Sequence, residues 1–289
     1  MASGTTERVA IVTGASAGIG LYTALGLAKA GMRVVMTGRH PARTEAARRF
    51  VVEHARGVQI ETAIADFASL AEVRRLADEL LARHRQIDLL VNNAGLFSPK
   101  FARSTDGYEL TFAVNHLAPF LLTNLLLERL KASAPARIVT VASRAHHGNQ
   151  IDLETIAGPR NWSMIKAYGR SKLCNILFTR ELARQLDGTG VVAVSLHPGV
   201  VATRLAQRGG LVGLAWGLMK PFMISPERGA QTSLFLATVP DPARFHGGYV
   251  VGRALAAPDR AAFDDSLARR LWAESARLVG LPEAAPGQS

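Results

Sequence analysis

The chain has 289 residues, 48% of them hydrophobic and 20% charged, with a formal net charge of +11. This is the balance of a soluble globular protein with enough apolar residues for a full core, and it excludes an intrinsically disordered chain. The lone cysteine, Cys174, excludes an intramolecular disulfide, and no Cys/His cluster has zinc-ligand spacing, so no metal is expected.

The positive charge is mostly arginine in scattered singles and pairs, such as Arg48-Arg49, Arg74-Arg75 and Arg269-Arg270. Without a basic stripe interleaved with aromatics, it reads as solvated helix faces, and no nucleic-acid partner is expected. Some attraction for anionic ligands, a phosphorylated cofactor included, remains. The opening MASGTTERVAIVTG carries no export signal and enters a strand at once, so the expected location is the cytoplasm. The apolar run LVGLAWGLMKPFMI is interrupted by Lys220 and Pro221 and is shorter than the ~20 residues of a membrane helix, so no stable membrane insertion is expected.

Short β-branched runs at 9–13, 33–37, 58–64, 87–93, 136–143, 191–197 and 247–252 alternate with helical patterns at 18–31, 69–85, 105–131, 163–186, 226–238 and 262–278. That alternation predicts a single-domain, Rossmann-type, doubly wound parallel sheet of about seven strands, flanked by helices on both faces. No repeat or linker divides residues 1–289. An apolar, Gly-rich stretch at 203–226 is expected to form a substrate lid, and the tail 282–289 to be disordered.

In such sheets ligands bind at the carboxyl ends of the strands. The first strand runs into Thr13-Gly14-Ala15-Ser16-Ala17-Gly18-Ile19-Gly20 and then a helix. Glycines there permit a tight turn, and backbone amides at the positive end of the helix can approach a pyrophosphate. Gly14, Ser16, Ala17, Gly18, Ile19 and Gly20 are therefore candidate cofactor contacts.

The second strand ends in Gly38-Arg39, where a protein preferring NAD would carry an acid for the ribose hydroxyls. A guanidinium can instead pair with a 2′-phosphate, so NADP(H) is expected over NAD(H). Asp66, beside Phe67, is placed either to accept from an adenine amino group or to cap the next helix in competition with Ser69. Asn92-Asn93-Ala94-Gly95 closes strand four with small residues that let backbone approach a cofactor.

Tyr168 and Lys172 stand four residues apart in a helical pattern and so share a face. A free phenol holds its proton until about pH 10, and an adjacent ammonium supplying about 4 kcal/mol would bring it near neutrality. A tuned acid of this kind suits a carbonyl being reduced. Ser143, after an apolar strand, and Asn115 in FAVNHLAPF complete the candidate set. His146 and His147 read as an exposed loop, and His197 as structural. Trp162, Met164, Trp216, Met219 and Phe222 could wall an apolar substrate.

Together, TGASAGIG, NNAG, Asn115, Ser143 and YGRSK resemble the short-chain dehydrogenase/reductase family over nearly the whole chain. Within it, VNHLAPFLLTNLLL, SKLCNILFTRELARQL, LHPGVVATRL and SPERGAQTSLFLA look most like the retinol dehydrogenase and WW-domain oxidoreductase branch. The resemblance implies NADP(H)-linked oxidoreduction of a carbonyl and alcohol pair, with a bulky or apolar ketone or aldehyde the expected small-molecule substrate. It makes Tyr168 the acid/base and Lys172 both its pKa-lowering neighbour and a ligand of the nicotinamide ribose. It assigns Ser143 to the substrate oxygen and Asn115 to a water in a proton relay. Pro198, Gly199, Val201 and Thr203 are implied beside the nicotinamide. A homodimer or homotetramer is also implied. The competing expectation is an NADP(H)-binding sensor or scaffold without turnover, contacting partners through 205–224.

Overall fold

The computed structural model of the chain describes residues 7–200 and 224–282. Its centre is one eight-stranded sheet in the order β3-β2-β1-β4-β5-β6-β7-β8. Strand β1 (Val9–Val12) lies inside the sheet, flanked by β2 (Arg33–Gly38) and β4 (Leu89–Asn92), with β3 (Ile60–Ile64) beyond β2. On the other side β5 (Ala136–Val141), β6 (Val191–His197) and β7 (Tyr249–Val251) extend it. All seven run parallel, and β8 (Ala254–Leu255) adds a short antiparallel edge.

The eighth strand went unseen in the sequence pattern because its turn, Gly252-Arg253, lacks the usual Asn-Gly or Asp-Gly signature. Both residues nonetheless hold positive φ, 57° and 75°, as a two-residue hairpin requires.

Both sheet faces are covered. Along each strand successive side chains go to opposite sides: Val9 and Ile11 join one core, Ala10 and Val12 the other. The first core is closed by α3 (Leu70–Arg83), α5 (Ala118–Ala132), α6 (Met164–Gln185) and α8 (Asp265–Val279). The second is closed by α1 (Gly18–Lys29), α2 (Pro41–His54) and α7 (Pro226–Thr238). Double coverage explains why the strands read as continuous apolar runs.

Helix α2 is an addition to the sequence reading. It buries only Thr44, Ala47 and Val51, a stripe too small and too polar to stand out, although Pro41 opens its first turn. The expected helix at 105–131 begins instead at Leu110. A short α4 (Leu110–Phe112) passes through a π-helical turn, Ala113–Leu117, into α5. The Leu110–Ala132 stretch is long and apolar enough to cross a membrane by composition, but 78% of its most apolar window is buried in the protein.

Helix α7 is fastened to the sheet by Arg137, whose guanidinium on β5 donates to the carbonyls of Leu236 (2.9 Å) and Val239 (2.8 Å). Those acceptors sit at the negative end of α7, where a cation is favoured. Arg137→Met keeps the apolar stem and removes both bonds. It should lower unfolding stability by about 2 kcal/mol, read as a lower urea midpoint at unchanged slope.

Candidate active site

The topological switch lies between β1 and β4, and the candidate residues follow the carboxyl ends of the strands around it. Thr13 ties the two strand ends together. Its hydroxyl donates to the Val91 carbonyl (3.2 Å) and accepts from the amides of Asn93 (3.0 Å) and Ala94 (2.9 Å). Asn93 answers by donating its side-chain amide to the carbonyl of Thr13 (2.7 Å). Its side chain therefore braces the β1 turn from behind. Thr13, to which the glycine-rich pattern alone assigns no role, is the hub of this contact.

The turn can come this close only because of its glycines. Gly14 has φ +65°, and a Cβ there would lie 2.8 Å from the Ala94 Cα. A Cβ at Gly20 would strike the Asn93 side chain and the Gly14 carbonyl. Helix α1 then starts after Ala17, which is exposed and offers no side-chain cap, and no acid stands in the first turn. Unclaimed amides at a helix N-terminus suit a pyrophosphate, so the cradle of Gly14, Ser16, Ala17, Gly18, Ile19 and Gly20 fits a dinucleotide.

Ser16 lies against Gly38 at the end of β2, and Arg39 follows, exposed and without an ion pair among the described residues. Asp66 is exposed and accepts from the Ala68 amide (3.0 Å), while the cap of α3 is Ser69, which accepts from Glu72. The capping alternative for Asp66 is thus ruled out. Phe67 departs from expectation: its side chain is buried in the core, so only its backbone can face a cofactor.

On the other side of the switch, Ser143, Tyr168, Lys172 and Asn115 come together. Lys172 is 3% exposed and donates from Nζ to the Val141 carbonyl (2.9 Å). Burial pulls its pKa down to about 8. Asn115 is fully buried in the π turn; its Oδ1 accepts from the Leu96 amide (2.7 Å), and its Nδ2 donates to the Leu96 carbonyl (3.0 Å) and Ser171 Oγ (3.0 Å). Gly95 is wedged among them, since a Cβ there would sit 3.2 Å from Asn115 Oδ1 and 3.6 Å from Lys172 Nζ. Ser171 also donates to the Tyr168 carbonyl (2.7 Å), joining Asn115 to α6. Its place in YGRSK was the available signal.

The expected lowering of the Tyr168 pKa by Lys172 is absent. The Tyr168 side chain is half-buried, and loss of solvent pushes the phenol up, with the Ser143 hydroxyl pulling it part of the way back. Lys172 Nζ sits 5.6 Å from the ring centroid but is turned to Val141. Phe97 meets the Tyr168 ring edge-on at 5.1 Å.

Ser143 begins a short 3-10 turn, Arg144–His146, in which its Oγ accepts from the Ala145 amide (3.2 Å). An accepting Oγ leaves its own proton free to point outward. His197, beneath the turn, accepts from the Arg144 amide through Nδ1 (3.3 Å). The expectation of an exposed loop fails for His146, which has no solvent exposure and a bond at each ring nitrogen. Only His147 is on the surface, and a carboxylate does stand near it, Asp259 at 3.7 Å.

Pro198 and Gly199 follow β6 at the same edge, with Gly199 at φ +93° against Ile224. Val201, Thr203, Trp216, Met219 and Phe222, with nearly all of the 203–226 stretch and all but the first residue of the 282–289 tail, lie outside the described residues. Trp162 packs on Phe101 and donates to the buried Glu109 (3.1 Å). Met164 is half-buried at the start of α6.

Residues 8–210 match the family model described as short chain dehydrogenase. Human retinol dehydrogenase 13 is 41% identical, over 95% of this chain and 85% of its own length. Mouse retinol dehydrogenase 12 is 40% identical, over 95% and 87%. Among solved structures, an uncharacterised protein from Mycobacterium paratuberculosis superposes with a TM-score of 0.78 at 34% identity, covering 96% of this chain and 95% of that one. Pseudomonas aeruginosa RhlG, in an active-site complex with NADP, superposes at 0.66 with 27% identity, over 84% and 93%. The chain belongs to the short-chain dehydrogenase/reductase family of oxidoreductases, and it is retinol dehydrogenase-like.

Two buried histidines make stability depend on pH. Burial holds His116 at about 3 and His197 at about 4. The unfolded chain takes up protons near pH 6.5 that the folded one refuses, so their contribution is complete above that pH and shrinks as pH falls. The expected loss is about 2 kcal/mol apiece by pH 5. Urea midpoints at about pH 7.5 and pH 5 check it, and equal midpoints would mean that neither histidine is held neutral.

Proposed function

We propose that this chain is an NADP(H)-dependent reductase of a bulky or apolar ketone or aldehyde, with Tyr168 as the general acid/base. The observation that carries it is the convergence of the Ser143 hydroxyl, the Tyr168 phenol and a buried Lys172 at the edge that also bears the glycine cradle. A nicotinamide cofactor, when held by the cradle, would supply the hydride. Every other task falls to the chain's own groups.

Hydride arrival at a carbonyl carbon builds negative charge on its oxygen, and Ser143 and Tyr168 are two donors able to meet that charge. A phenol pushed up by burial keeps its proton at neutral pH, which suits donation to a forming alkoxide. Lys172, with its pKa near 8, is still mostly charged at neutral pH and stands ready to bind a ribose hydroxyl and restore the tyrosine proton. Asn115 holds the Leu96 backbone in place beside it.

Preference for NADP(H) rests on Arg39, with no carboxylate between Gly38 and Thr44 to repel a 2′-phosphate. The NADP complex of the RhlG relative and the names of the retinol dehydrogenase relatives support the cofactor and the apolar substrate. Exposed apolar side chains support the same substrate class: Ile165, three residues before Tyr168, is 69% exposed, and Phe101 is 41% exposed beside Trp162.

NADPH oxidation with a panel of apolar ketones and aldehydes, retinal included, tests the proposal. Tyr168→Phe should lose about 10²- to 10⁴-fold in kcat, and equal activity would sink the mechanism. Reduction should be flat across neutral pH, while alcohol oxidation, which needs the phenolate, should climb with pH toward and past about 10. Arg39→Ala should weaken NADPH binding about ten- to a hundredfold and leave NADH unchanged. Tight NADPH binding with no turnover on the whole panel would favour the sensor reading instead.

A further inference from the structure

The loop that carries Ser143 is fastened to a distant part of the chain by one side chain. His146 is fully buried, and its Nδ1 lies 2.5 Å from the Ser143 carbonyl while the Asp259 amide donates to its Nε2 at 3.0 Å. An amide N–H can only donate, so Nε2 must be the bare nitrogen and Nδ1 the one bearing hydrogen. The ring is thereby fixed as a single neutral tautomer with each nitrogen satisfied. Its orientation is set further by Tyr249 of β7, edge-on at 5.1 Å, and by His147 at 4.1 Å.

Asp259 is itself held on both sides. Its carboxylate accepts from the amides of Gly148 (2.9 Å) and Ala261 (3.0 Å), the second of which opens the 3-10 turn Arg260–Phe263 ahead of α8. The result is a closed knot between residues 143–148 and 259–261. The Ser143 carbonyl accepts twice from His146, from its ring and from its backbone amide (3.2 Å). Asn149 closes the turn's far end on the Ala145 carbonyl (2.9 Å), and His197 holds Arg144, but neither reaches Ser143.

We propose that His146 is a positioning residue: its Nδ1–H, donating to the Ser143 carbonyl from a ring that the Asp259 amide keeps in one tautomer, holds the Ser143 hydroxyl against the Tyr168 phenol and the substrate oxygen. This rests on the catalytic reading of Ser143 and Tyr168. The bridge acts on the Ser143 backbone, and the Oγ, already accepting from Ala145, moves with that backbone. A displacement on the order of 1 Å at such a donor costs about a hundredfold in rate.

The test uses His146→Phe, which keeps the ring packing and loses both bonds, and His146→Asn, whose amide can still donate to the Ser143 carbonyl. The full-length protein is assayed with NADPH and the best carbonyl of the panel, with Ser143→Ala and Tyr168→Phe as controls. His146→Phe should lower kcat about ten- to a hundredfold with the KM for NADPH within about twofold of the wild type, and His146→Asn should recover most of kcat. Should His146→Phe not fold, His146→Gln, which reaches Asp259 but not Ser143, carries the same expectation. Wild-type kcat in His146→Phe, or a loss that His146→Asn does not recover, overturns the proposal.

If the two controls lose turnover and His146→Phe does not, positioning fails while the catalytic reading stands. If the wild type turns over no carbonyl, the catalytic reading fails, and a substrate-free measurement decides the rest. Ultraviolet titration of Tyr168, taken as the difference from each protein's Tyr168→Phe partner, should move to higher pH in His146→Phe as far as in Ser143→Ala, and return in His146→Asn. An unmoved titration in His146→Phe overturns the proposal by that route.

Discussion

A lysine ammonium buried at the end of a strand is the constraint around which the site is arranged. Burial makes the Lys172 charge costly to keep without an acceptor, and the Val141 carbonyl at the end of β5 supplies one. That bond and the apolar face of α6 turn the same side of the helix to the sheet. With Lys172 fixed, Tyr168, one turn earlier, must face the loop after β5, where Ser143 begins the next turn. Gly95 and Asn115 then pack beside it, where a Cβ at 95 would stand 3.2 Å from Asn115 Oδ1, close enough that the amide would have to give by a few tenths of an ångström.

Burial works on the two titrating groups in opposite senses. It pulls the Lys172 pKa down and pushes that of Tyr168 up, so both are driven toward their neutral forms. The spacing of a phenol and an ammonium suggests mutual stabilisation of charge. The geometry instead gives the ammonium to a backbone carbonyl and leaves the phenol protonated, with Ser143 as the nearer polar influence. For a proton donor this is a suitable state.

Much of this was legible along the chain. Alternating β-branched and amphipathic segments predict a doubly wound sheet because parallel strands need helical crossovers, and Thr13 to Gly20 marks the first crossover by residues that tolerate positive φ. Tyr168 and Lys172 share a helix face at any i, i+4 spacing. Local rules fail where local signals are weak or partners are distant. Helix α2 buries little more than a threonine, an alanine and a valine, and β8 hangs on an arginine forced to positive φ. Phe67 looked available to a cofactor, but its side chain joins the core on that face of the sheet. His146 had no visible partner, since Asp259 stands 113 residues away.

The sequence by itself determined the architecture, the glycine cradle and the identity of the four polar residues, because each rests on interactions within a few residues of chain. Tertiary structure alone decided which atom each polar group bonds. It turned Asn115 toward Leu96 and Lys172 toward Val141, braced the first turn with Thr13 and Asn93, and locked His146 between Ser143 and Asp259. The reason is that buried polar groups must be satisfied by whatever the fold brings within hydrogen-bonding distance, and those partners are remote in sequence.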